Sequence, residues 1–365
     1  MDEHRCRQVF PLGHGPTVSP EPRRLLDRRE GPTLGSLDGV ANSTPLHVVT
    51  GKGGTGKTTV AAALALSLAD QGKKVLLCEV EGRQGIAQLF DVPPLPYEER
   101  RIATSDSGGH VHALAIDPEA ALLEYLQMYY RLGRAGRALD KFGVIDFATT
   151  IAPGVRDVLL TGKVYEAARR RTKDKSSDFV YDAVVVDAPP TGRITRFLGV
   201  NDDVAGLAKV GPIKTQSESI MTMMRSPQTA VHLVTVLEEM PVQETLDGIA
   251  ELTRAGLPVG HVVVNLVRPS LLSPDTVEAL EAGRLDAKAV APVLERVGLP
   301  RQAAATLVAD GFGHVERQRL QNEQRAIIES CGRPHLSLPM LTGGIDLGAL
   351  QDLADTLAPL VEDAR

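Results

Sequence analysis

From Leu46 onward, short runs of β-branched and aliphatic residues alternate with longer stretches that are alanine-rich, leucine-rich or amphipathic. This alternation is typical of parallel strands connected by helices. The predicted strands are Leu46–Thr50, Lys74–Val80, Val111–Ile116, Tyr181–Val186, Val231–Val236, His261–Val267 and His335–Leu338. We therefore expect an α/β fold, a doubly wound and mainly parallel sheet with helices on both faces.

Two helix-rich insertions interrupt this pattern. The first covers roughly residues 90–175, holds the helix-like stretches Pro118–Leu132 and Val155–Arg171, and predicts a helical subdomain. The second covers roughly residues 270–331, between the last two predicted strands. Residues 1–44 mix Pro, Gly, Arg and acidic residues without any period, which predicts a disordered N-terminal tail before a single domain over residues 45–365.

Composition and charge exclude several classes of protein. The net charge is −6 and 24% of the residues are charged, so a nucleic-acid partner is not expected. The three cysteines, Cys6, Cys78 and Cys331, are too widely spaced for a zinc ribbon or a disulfide framework, which favours a reducing compartment. No apolar run approaches the roughly 20 residues that a transmembrane helix needs. We expect a cytoplasmic protein without a transmembrane span.

A glycine-rich segment directly follows the first predicted strand and precedes an alanine-rich helix predicted over Thr59–Ala69. It fits the pattern G-x-x-x-x-G-K-S/T and reads Gly51-Lys52-Gly53-Gly54-Thr55-Gly56-Lys57-Thr58. Glycines let backbone N–H groups converge on phosphates, and the helix N-terminus adds a positive dipole. Lys57 is placed to reach the β- and γ-phosphates, and Thr58 to offer its hydroxyl to Mg²⁺. The segment predicts a P-loop that binds ATP and Mg²⁺.

Lys52 is not needed to cradle the bound phosphates. Phosphoryl transfer is accelerated by a cation that is supplied in trans, because such a cation spreads the developing charge. We interpret Lys52 as a lysine suited to reach across a dimer interface, and a solvated surface lysine is the alternative interpretation.

Several motifs resemble one class of P-loop ATPases. The segment Thr50–Thr58 resembles the deviant Walker A motif of the ArsA, MinD, ParA and nitrogenase-iron-protein class, whose first lysine crosses a nucleotide-sandwich dimer. The segment Asp187–Gly192 resembles the second switch of the ArsA-type branch, which includes arsenite-pump ATPases and targeting factors for tail-anchored membrane proteins. Further matches are Pro153-Gly154, Glu244-Thr245, Asn265 and Leu338-Pro339-Met340. The resemblance covers roughly Leu46 to Leu360.

The resemblance implies an ATPase that works as a nucleotide-sandwich dimer and couples ATP hydrolysis to a conformational change on a cargo or partner protein. The implied catalytic residues are Lys52, Lys57, Glu81 and Asp187. The implied nucleotide-binding residues are Gly51, Lys52, Gly53, Gly54, Thr55, Gly56, Lys57, Thr58, Thr59, Asn265, Pro339 and Met340. The implied magnesium ligands are Thr58 and Asp187.

Two carboxylates carry the predicted chemistry. Asp187 ends a buried-looking strand, where it can hold Mg²⁺ through water beside Thr58, and a strand-terminal turn residue is the alternative. The segment Glu79–Gly85 stands at the place of the family's first switch. By resemblance, its second carboxylate positions the attacking water and is usually an aspartate, but here it is Glu81. Glutamate is one methylene longer, which predicts a shifted water or slow turnover, and a surface acid is the alternative.

The base and the cargo are less well defined by the sequence. By resemblance Asn265 reads adenine with help from the backbone around Pro339, and an ordinary turn asparagine is the alternative. Dispersed cysteines argue against a metalloid site, which needs clustered thiolates. The apolar stretches Ala120–Tyr130 and Ser219–Met224 are candidates for a groove that accepts an apolar peptide or membrane-protein cargo, although core packing is the alternative for both and is favoured for the first.

Two functions stay open at the level of sequence. The first is an ArsA-like ATPase, working as a homodimer or with a paralogous ATPase and reaching the membrane only through a partner. The second is a nucleotide-gated regulatory or binding subunit with little hydrolysis of its own, paired with a paralogous ATPase. The intact P-loop and Asp187 favour the first function, and the glutamate at position 81 favours the second.

Overall fold

The computed structural model describes residues 45–130, 153–172, 178–207 and 212–362. Its strands form one sheet in the order β3-β4-β2-β5-β1-β6-β7-β8. The strands are β1 Leu46–Gly51, β2 Lys74–Glu79, β3 Arg100–Thr104, β4 His110–Ala115, β5 Ala183–Asp187, β6 Thr229–Thr235, β7 Val259–Val267 and β8 His335–Pro339. All neighbouring strands are parallel except β3 and β4, which are antiparallel.

Helices cover both faces of this sheet. They are α1 Lys57–Asp70, α2 Gly85–Leu89, α3 Pro118–Tyr130, α4 Pro153–Arg169, α5 Thr191–Leu207, α6 Pro212–Met224, α7 Glu239–Arg254, α8 Pro274–Glu281, α9 Ala287–Arg296, α10 Ala304–Ser330, α11 Leu347–Thr356 and α12 Ala358–Glu362. Helix α1 is apolar around most of its circumference and packs between the sheet and α11. Helices α4, α5 and α6 cover the opposite face.

Alternating side chains of the central strands feed two separate cores. In β1, Val49 packs with the α1 core, whereas Val48 packs with the core under α4, α5 and α6. Because both faces are covered, the central strands are buried throughout and their sequences are nearly continuous apolar runs. The predicted doubly wound α/β fold is confirmed.

The seven predicted strands all occur, with ends shifted by zero to two residues, and one further strand was missed. Strand β3 lies at the edge of the sheet, antiparallel to β4, and reads Arg-Arg-Ile-Ala-Thr with mostly exposed or half-buried side chains. Its two arginines hide the apolar pattern of a strand, and charged residues are common on sheet edges because they discourage pairing with other chains. The predicted tail at residues 1–44 lies outside the described residues, and the domain bounds stay a prediction.

The seven parallel strands end at the same edge of the sheet. The last residues of three central strands are Gly51 of β1, Glu79 of β2 and Asp187 of β5. In open α/β sheets, ligands bind at the carboxyl edge, where the order of strands reverses direction. Within the described ranges, no helix is long and apolar enough to cross a membrane.

Candidate nucleotide-binding site

Two glycines of the P-loop hold positions where a side chain does not fit. Gly51 has φ of 157°, and a Cβ there would lie 2.1 Å from the carbonyl oxygen of Val234 on β6. Gly56 precedes α1 with φ of 85°, and a Cβ there would lie 2.4 Å from Nδ2 of Asn265. The loop packs so closely against β6 and β7 that a side chain at either position would collide with them, so both positions require glycine.

Hydrogen bonds within the loop and from β7 hold its shape. The backbone N–H and the hydroxyl of Thr55 both donate to the carbonyl oxygen of Lys52, at 3.3 and 2.9 Å. The buried Asn265 donates its Nδ2 to the carbonyl oxygen of Thr55 at 2.9 Å. Asn265 therefore holds the P-loop in place through this hydrogen bond from β7. Its contact with a base stays a prediction.

Thr58 and Asp187 meet where β1 and β5 end side by side. The Thr58 hydroxyl donates to Asp187 Oδ2 at 2.6 Å, while the buried Oδ1 has no partner in the described parts of the chain. Burial raises the pKa of Asp187 to about 6; the Thr58 hydrogen bond and the charge of Lys57 oppose this, and the charges of Glu79 and Glu81 add to it. A buried carboxylate with one unused oxygen is stabilised by a cation, and oxygen ligands suit Mg²⁺.

The two lysines of the loop have different surroundings. Lys57 is 8% exposed, and its ammonium group has no hydrogen bond or ion pair with the described residues. Lys52 instead forms an ion pair with Glu244 on α7, where the two side chains are 30% and 37% exposed. A Lys52 that reached across a dimer interface would first have to leave Glu244.

The segment after β2 holds two carboxylates with different roles. Glu79 is buried and accepts hydrogen bonds from the backbone N–H groups of Gln84 and Ile86, so it shapes the turn that starts α2. Glu81 is partly exposed, and its carboxylate lies 3.4 Å from the guanidinium of Arg83. The sequence pattern predicted a role for Glu81 and gave none to Glu79. A buried strand-terminal acid followed by a glycine-containing turn is the signal that identifies Glu79.

The segment Asp187–Gly192 is tied to the neighbouring strand β1 by two hydrogen bonds. The Thr50 hydroxyl donates to the carbonyl oxygen of Pro189 at 2.7 Å, and the N–H of Ala188 donates to the carbonyl of Val49. Arg193 is the third residue of α5, and its guanidinium lies 3.4 Å from the carboxylate of Asp157 on α4. Arg193 therefore pairs with an acid of the helical layer.

A cleft of about 530 Å³ opens above the P-loop. Of the described residues, its lining includes the cations Lys52, Arg268 and Arg317 and one acid, Glu238. The other lining residues are Gly53, Gly54, Thr55, Val236, Leu237, Met240, Pro241, Leu266, Leu320, Gln321 and Met340. A cleft with an apolar wall, an excess of cations and a P-loop at one end suits a ligand with a flat ring and a chain of phosphates.

The structure divides the predicted nucleotide residues into three groups. Lys52, Gly53, Gly54, Thr55 and Met340 line the cleft. Gly51, Gly56, Lys57, Thr58 and Asn265 form the base of the P-loop and its supports. Thr59 on α1 and Pro339 at the end of β8 do not line the cleft.

Sequence reasoning missed the wall that the second insertion contributes. Arg317, Leu320 and Gln321 belong to α10, and Arg268 follows β7. Neither region carries a recognisable motif. The sequence shows only two glutamines and an isoleucine at helical spacing, and it is the structure that reveals Gln321, Gln324 and Ile328 as a buried stripe on α10.

The structure corrects the interpretation of one candidate cargo stretch and shows exposed apolar residues in a different region. Met221, Met223 and Met224 of α6 are all buried in the core, so core packing, and not a groove, is the correct interpretation of Ser219–Met224. Of Ala120–Tyr130, Leu122 packs against the same core, and the side chains of residues 125–130 lie outside the described ones. Exposed apolar residues concentrate instead in the second insertion, at Leu271, Val293, Val297, Leu299, Leu307, Phe312, Leu320 and Ile327.

Comparison with known proteins identifies the class. A sequence model of the anion-transporting ATPase (ArsA) family matches residues 45–227, about half of the chain. This match covers the P-loop, Glu81 and Asp187, and the chain belongs to the ArsA family of P-loop ATPases. The resemblance seen in the motifs is confirmed.

Individual relatives agree with this family. ATPase BagA of Mycobacterium tuberculosis H37Rv is 55% identical over 315 residues, which cover 86% of this chain and 92% of BagA. The arsenical pump-driving ATPase of Escherichia coli is 30% identical over 247 residues, covering 62% of this chain and 40% of the pump protein. The arsenical pump-driving ATPase of Acidiphilium multivorum is 26% identical over 247 residues, with the same coverage.

Proposed function

We propose that the protein hydrolyses ATP in a Mg²⁺-dependent reaction. The observation that carries this proposal is the pairing of Thr58 with Asp187 at the foot of a P-loop, with one carboxylate oxygen left free. The cleft that residues 52–55 of the same loop line supplies room, positive charge and an apolar wall. Family membership supports the same activity.

The residues present fit a magnesium ion. Thr58 would hold it with its hydroxyl, and Asp187 with its free Oδ1, directly or through water. When bound, Mg²⁺ neutralises charge on the β- and γ-phosphate oxygens. Lys57 forms no hydrogen bond or ion pair with the described residues, so its ammonium group is available to the same phosphates.

Glu81 is the proposed residue that orients the attacking water. It lies in the loop after β2, near enough to Asp187 for its charge to help raise the pKa of that carboxyl. Its partner is Arg83 at 3.4 Å, and because the arginine is largely exposed, this ion pair contributes little energy and exchanges readily. Glu81 is therefore available to a water held near the γ-phosphate.

We further propose that hydrolysis takes place in a nucleotide-sandwich dimer, in which Lys52 contacts the nucleotide of the partner. The cis ion pair with Glu244 would then be the resting state of Lys52, exchanged for phosphate when two chains close on ATP. The partner is a second copy or a paralogous ATPase. A cargo or partner protein would respond to the opening and closing, and an apolar peptide or membrane protein is the candidate cargo.

A pair of charge-neutralising variants tests the hydrolytic assignment. Glu81→Gln is expected to keep ATP affinity while phosphate release falls at least 100-fold, because a general base or water-positioning group typically contributes 10²–10⁴-fold. Glu329→Gln, at an exposed position near the end of α10, is the matched control and should keep the wild-type rate. Undiminished phosphate release by Glu81→Gln would contradict the role of Glu81.

A second candidate function is a nucleotide-gated regulatory or binding subunit that hydrolyses little ATP itself. The glutamate at position 81 and its pairing with Arg83 favour this function, because small displacements of a water-positioning group are costly. The two candidates differ in the rate of the isolated wild type. A chain that binds ATP and dimerises without releasing phosphate, but stimulates a paralogous ATPase, would match the second candidate.

A further inference from the structure

Helix α10 packs onto the ATPase core with a face that carries two buried glutamines. Gln321, Gln324 and Ile328 are buried at a spacing of three and four residues, which places them on one side of the helix. The packed face of a surface helix normally holds apolar residues, and glutamine is mostly exposed in proteins. A buried amide must use its hydrogen-bonding groups, so the partners of Gln321 are informative.

The orientation of the Gln321 amide is fixed by one hydrogen bond. The backbone N–H of Arg268 lies 3.3 Å from Oε1 of Gln321. A backbone N–H can only donate, so the atom that faces it must be the amide oxygen and the NH₂ group points the other way. No described residue accepts a hydrogen bond from Nε2, which stays accessible at the cleft that Gln321 lines.

The four residues Asn265–Arg268 link this amide rigidly to the P-loop. Asn265 holds the carbonyl of Thr55 at one end, and Arg268 holds Gln321 at the other. Between them Leu266 adopts φ of 55°, a left-handed conformation that is strained for a bulky side chain and is typical of functional sites. Leu266 also lines the cleft, as does Met340, which follows the neighbouring strand β8 and donates its backbone N–H to the carbonyl of Val267 at 2.9 Å. The distance between phosphate-binding and base-facing groups is thus set by a short, constrained segment.

We propose that Gln321 is a specificity-determining residue for the base of the nucleotide. Its NH₂ group donates a hydrogen bond to an unprotonated ring nitrogen of the base, while apolar side chains such as Leu266 and Met340 contact the ring faces. Adenine offers such an acceptor at N1, whereas hypoxanthine and guanine carry a hydrogen there and would set donor against donor. This inference rests on the proposed function, because it takes the cleft as the ATP site.

Discrimination by a single amide has a defined size. A site that is built to hydrogen-bond a substrate rejects the analogue that leaves a buried polar group unpaired. One such hydrogen bond corresponds to about a tenfold ratio of affinities, because 1.4 kcal/mol is tenfold. The protein should therefore bind ATP about tenfold more tightly than inosine triphosphate, which differs from ATP at positions 1 and 6 of the ring.

The test measures the affinities of ATP and inosine triphosphate by calorimetry, with Mg²⁺ present, for the full chain and three variants. Gln321→Leu should bring the ratio of the two affinities close to one. Gln318→Leu is the matched control on the same helix, because its amide donates to the carbonyls of Arg268 and Pro269 and does not line the cleft. This control should keep the wild-type ratio.

Gln321→Glu separates base recognition from a purely structural role. A carboxylate still accepts the N–H of Arg268, but it cannot donate to the base, and it can accept the N1 hydrogen of hypoxanthine. The ATP preference should therefore be lost or reversed in Gln321→Glu. If Gln321 only anchored Arg268, Gln321→Glu would keep the preference, and that result would overturn the proposal even if Gln321→Leu fails to fold.

The remaining outcomes distinguish this inference from the proposed function. A wild type that binds ATP and inosine triphosphate equally, or a Gln321→Leu variant that keeps the wild-type ratio, overturns the role of Gln321 and leaves ATP binding intact. A wild type that binds neither nucleotide overturns the proposed function and this inference together.

Discussion

Two buried histidines, His47 on β1 and His232 on β6, predict how the stability of the protein depends on pH. His47 Nδ1 lies 3.1 Å from His232 Nε2, the two rings lie edge to edge with an interplanar angle of 14°, and both side chains are 2% exposed. The backbone N–H of His261 donates to His232 Nδ1, so the ring proton of His232 is on Nε2 and is donated to His47. Protonation of His47 at Nδ1 would set two N–H groups against each other.

The size of the effect follows from the pKa of His47. Burial, with smaller contributions from the charges of Lys73 and His261, lowers this pKa from 6.5 to about 4. The pKa of His47 is thus lower in the folded chain than in the unfolded chain. The contribution of neutral His47 to stability is therefore fully present above pH 6.5 and is lost as pH falls from 6.5 to 4. At pH 5 the loss is about 2 kcal/mol from His47 alone. The pKa of His232 is lowered too, also by burial first, and contributes with the same sign.

The assay is urea unfolding of the wild type and His47→Gln between pH 5 and 8. Glutamine keeps an acceptor for His232 but does not titrate, so the difference in unfolding free energy between pH 8 and pH 5 should be about 2 kcal/mol smaller for the variant. Titration of Asp187, whose raised pKa acts in the opposite direction, contributes equally to both proteins. Replacement of the exposed His335 by Gln is the control. Parallel curves for wild type and His47→Gln would refute the reasoning.

Three further predictions concern the P-loop, the metal ligand and the core. Gly56→Ala should lower ATP affinity, measured by calorimetry, at least tenfold, because its Cβ would clash with Asn265. Gly54→Ala is the control: Gly54 has a similar φ of 88° but open space around it, so the loss of affinity should be smaller. ATP affinity in the presence of Mg²⁺ should fall about tenfold per pH unit below pH 6, since the pKa of Asp187 is about 6 and a protonated carboxyl binds no metal. An ATP affinity that does not change between pH 7 and pH 5 would contradict this prediction. Met224→Ala, at 1% exposure, should cost about 2–5 kcal/mol of unfolding free energy, and Met240→Ala, at 61% exposure, less than about 0.5 kcal/mol.

Much of the fold could be predicted because its central strands are buried on both faces. Such strands are continuous apolar runs that stand out from the helices between them, as Ala183–Asp187 illustrates. Strand β3 was not predicted because an edge strand needs no apolar run, and its two arginines interrupt the apolar pattern that identifies strands. The methionines of α6 could not be assigned from sequence, since an apolar stripe is the same whether it meets a core or a cargo.

The site was only partly predictable, and the reason is distance along the chain. The P-loop is one contiguous segment with a fixed spacing, so its residues could be found from the sequence. The ion pair of Lys52 joins residues 192 positions apart, and the hydrogen bond between Arg268 and Gln321 spans 53. No local pattern encodes such contacts. They depend on how the helical insertion packs back onto the carboxyl edge of the sheet.

The most direct test of the central claim is steady-state ATP hydrolysis measured together with native mass, for the wild type and Lys52→Ala with ATP and Mg²⁺. The account predicts that the wild type dimerises on ATP and releases phosphate, while Lys52→Ala still binds ATP but loses turnover. A wild type that binds ATP yet stays monomeric and inert would contradict it.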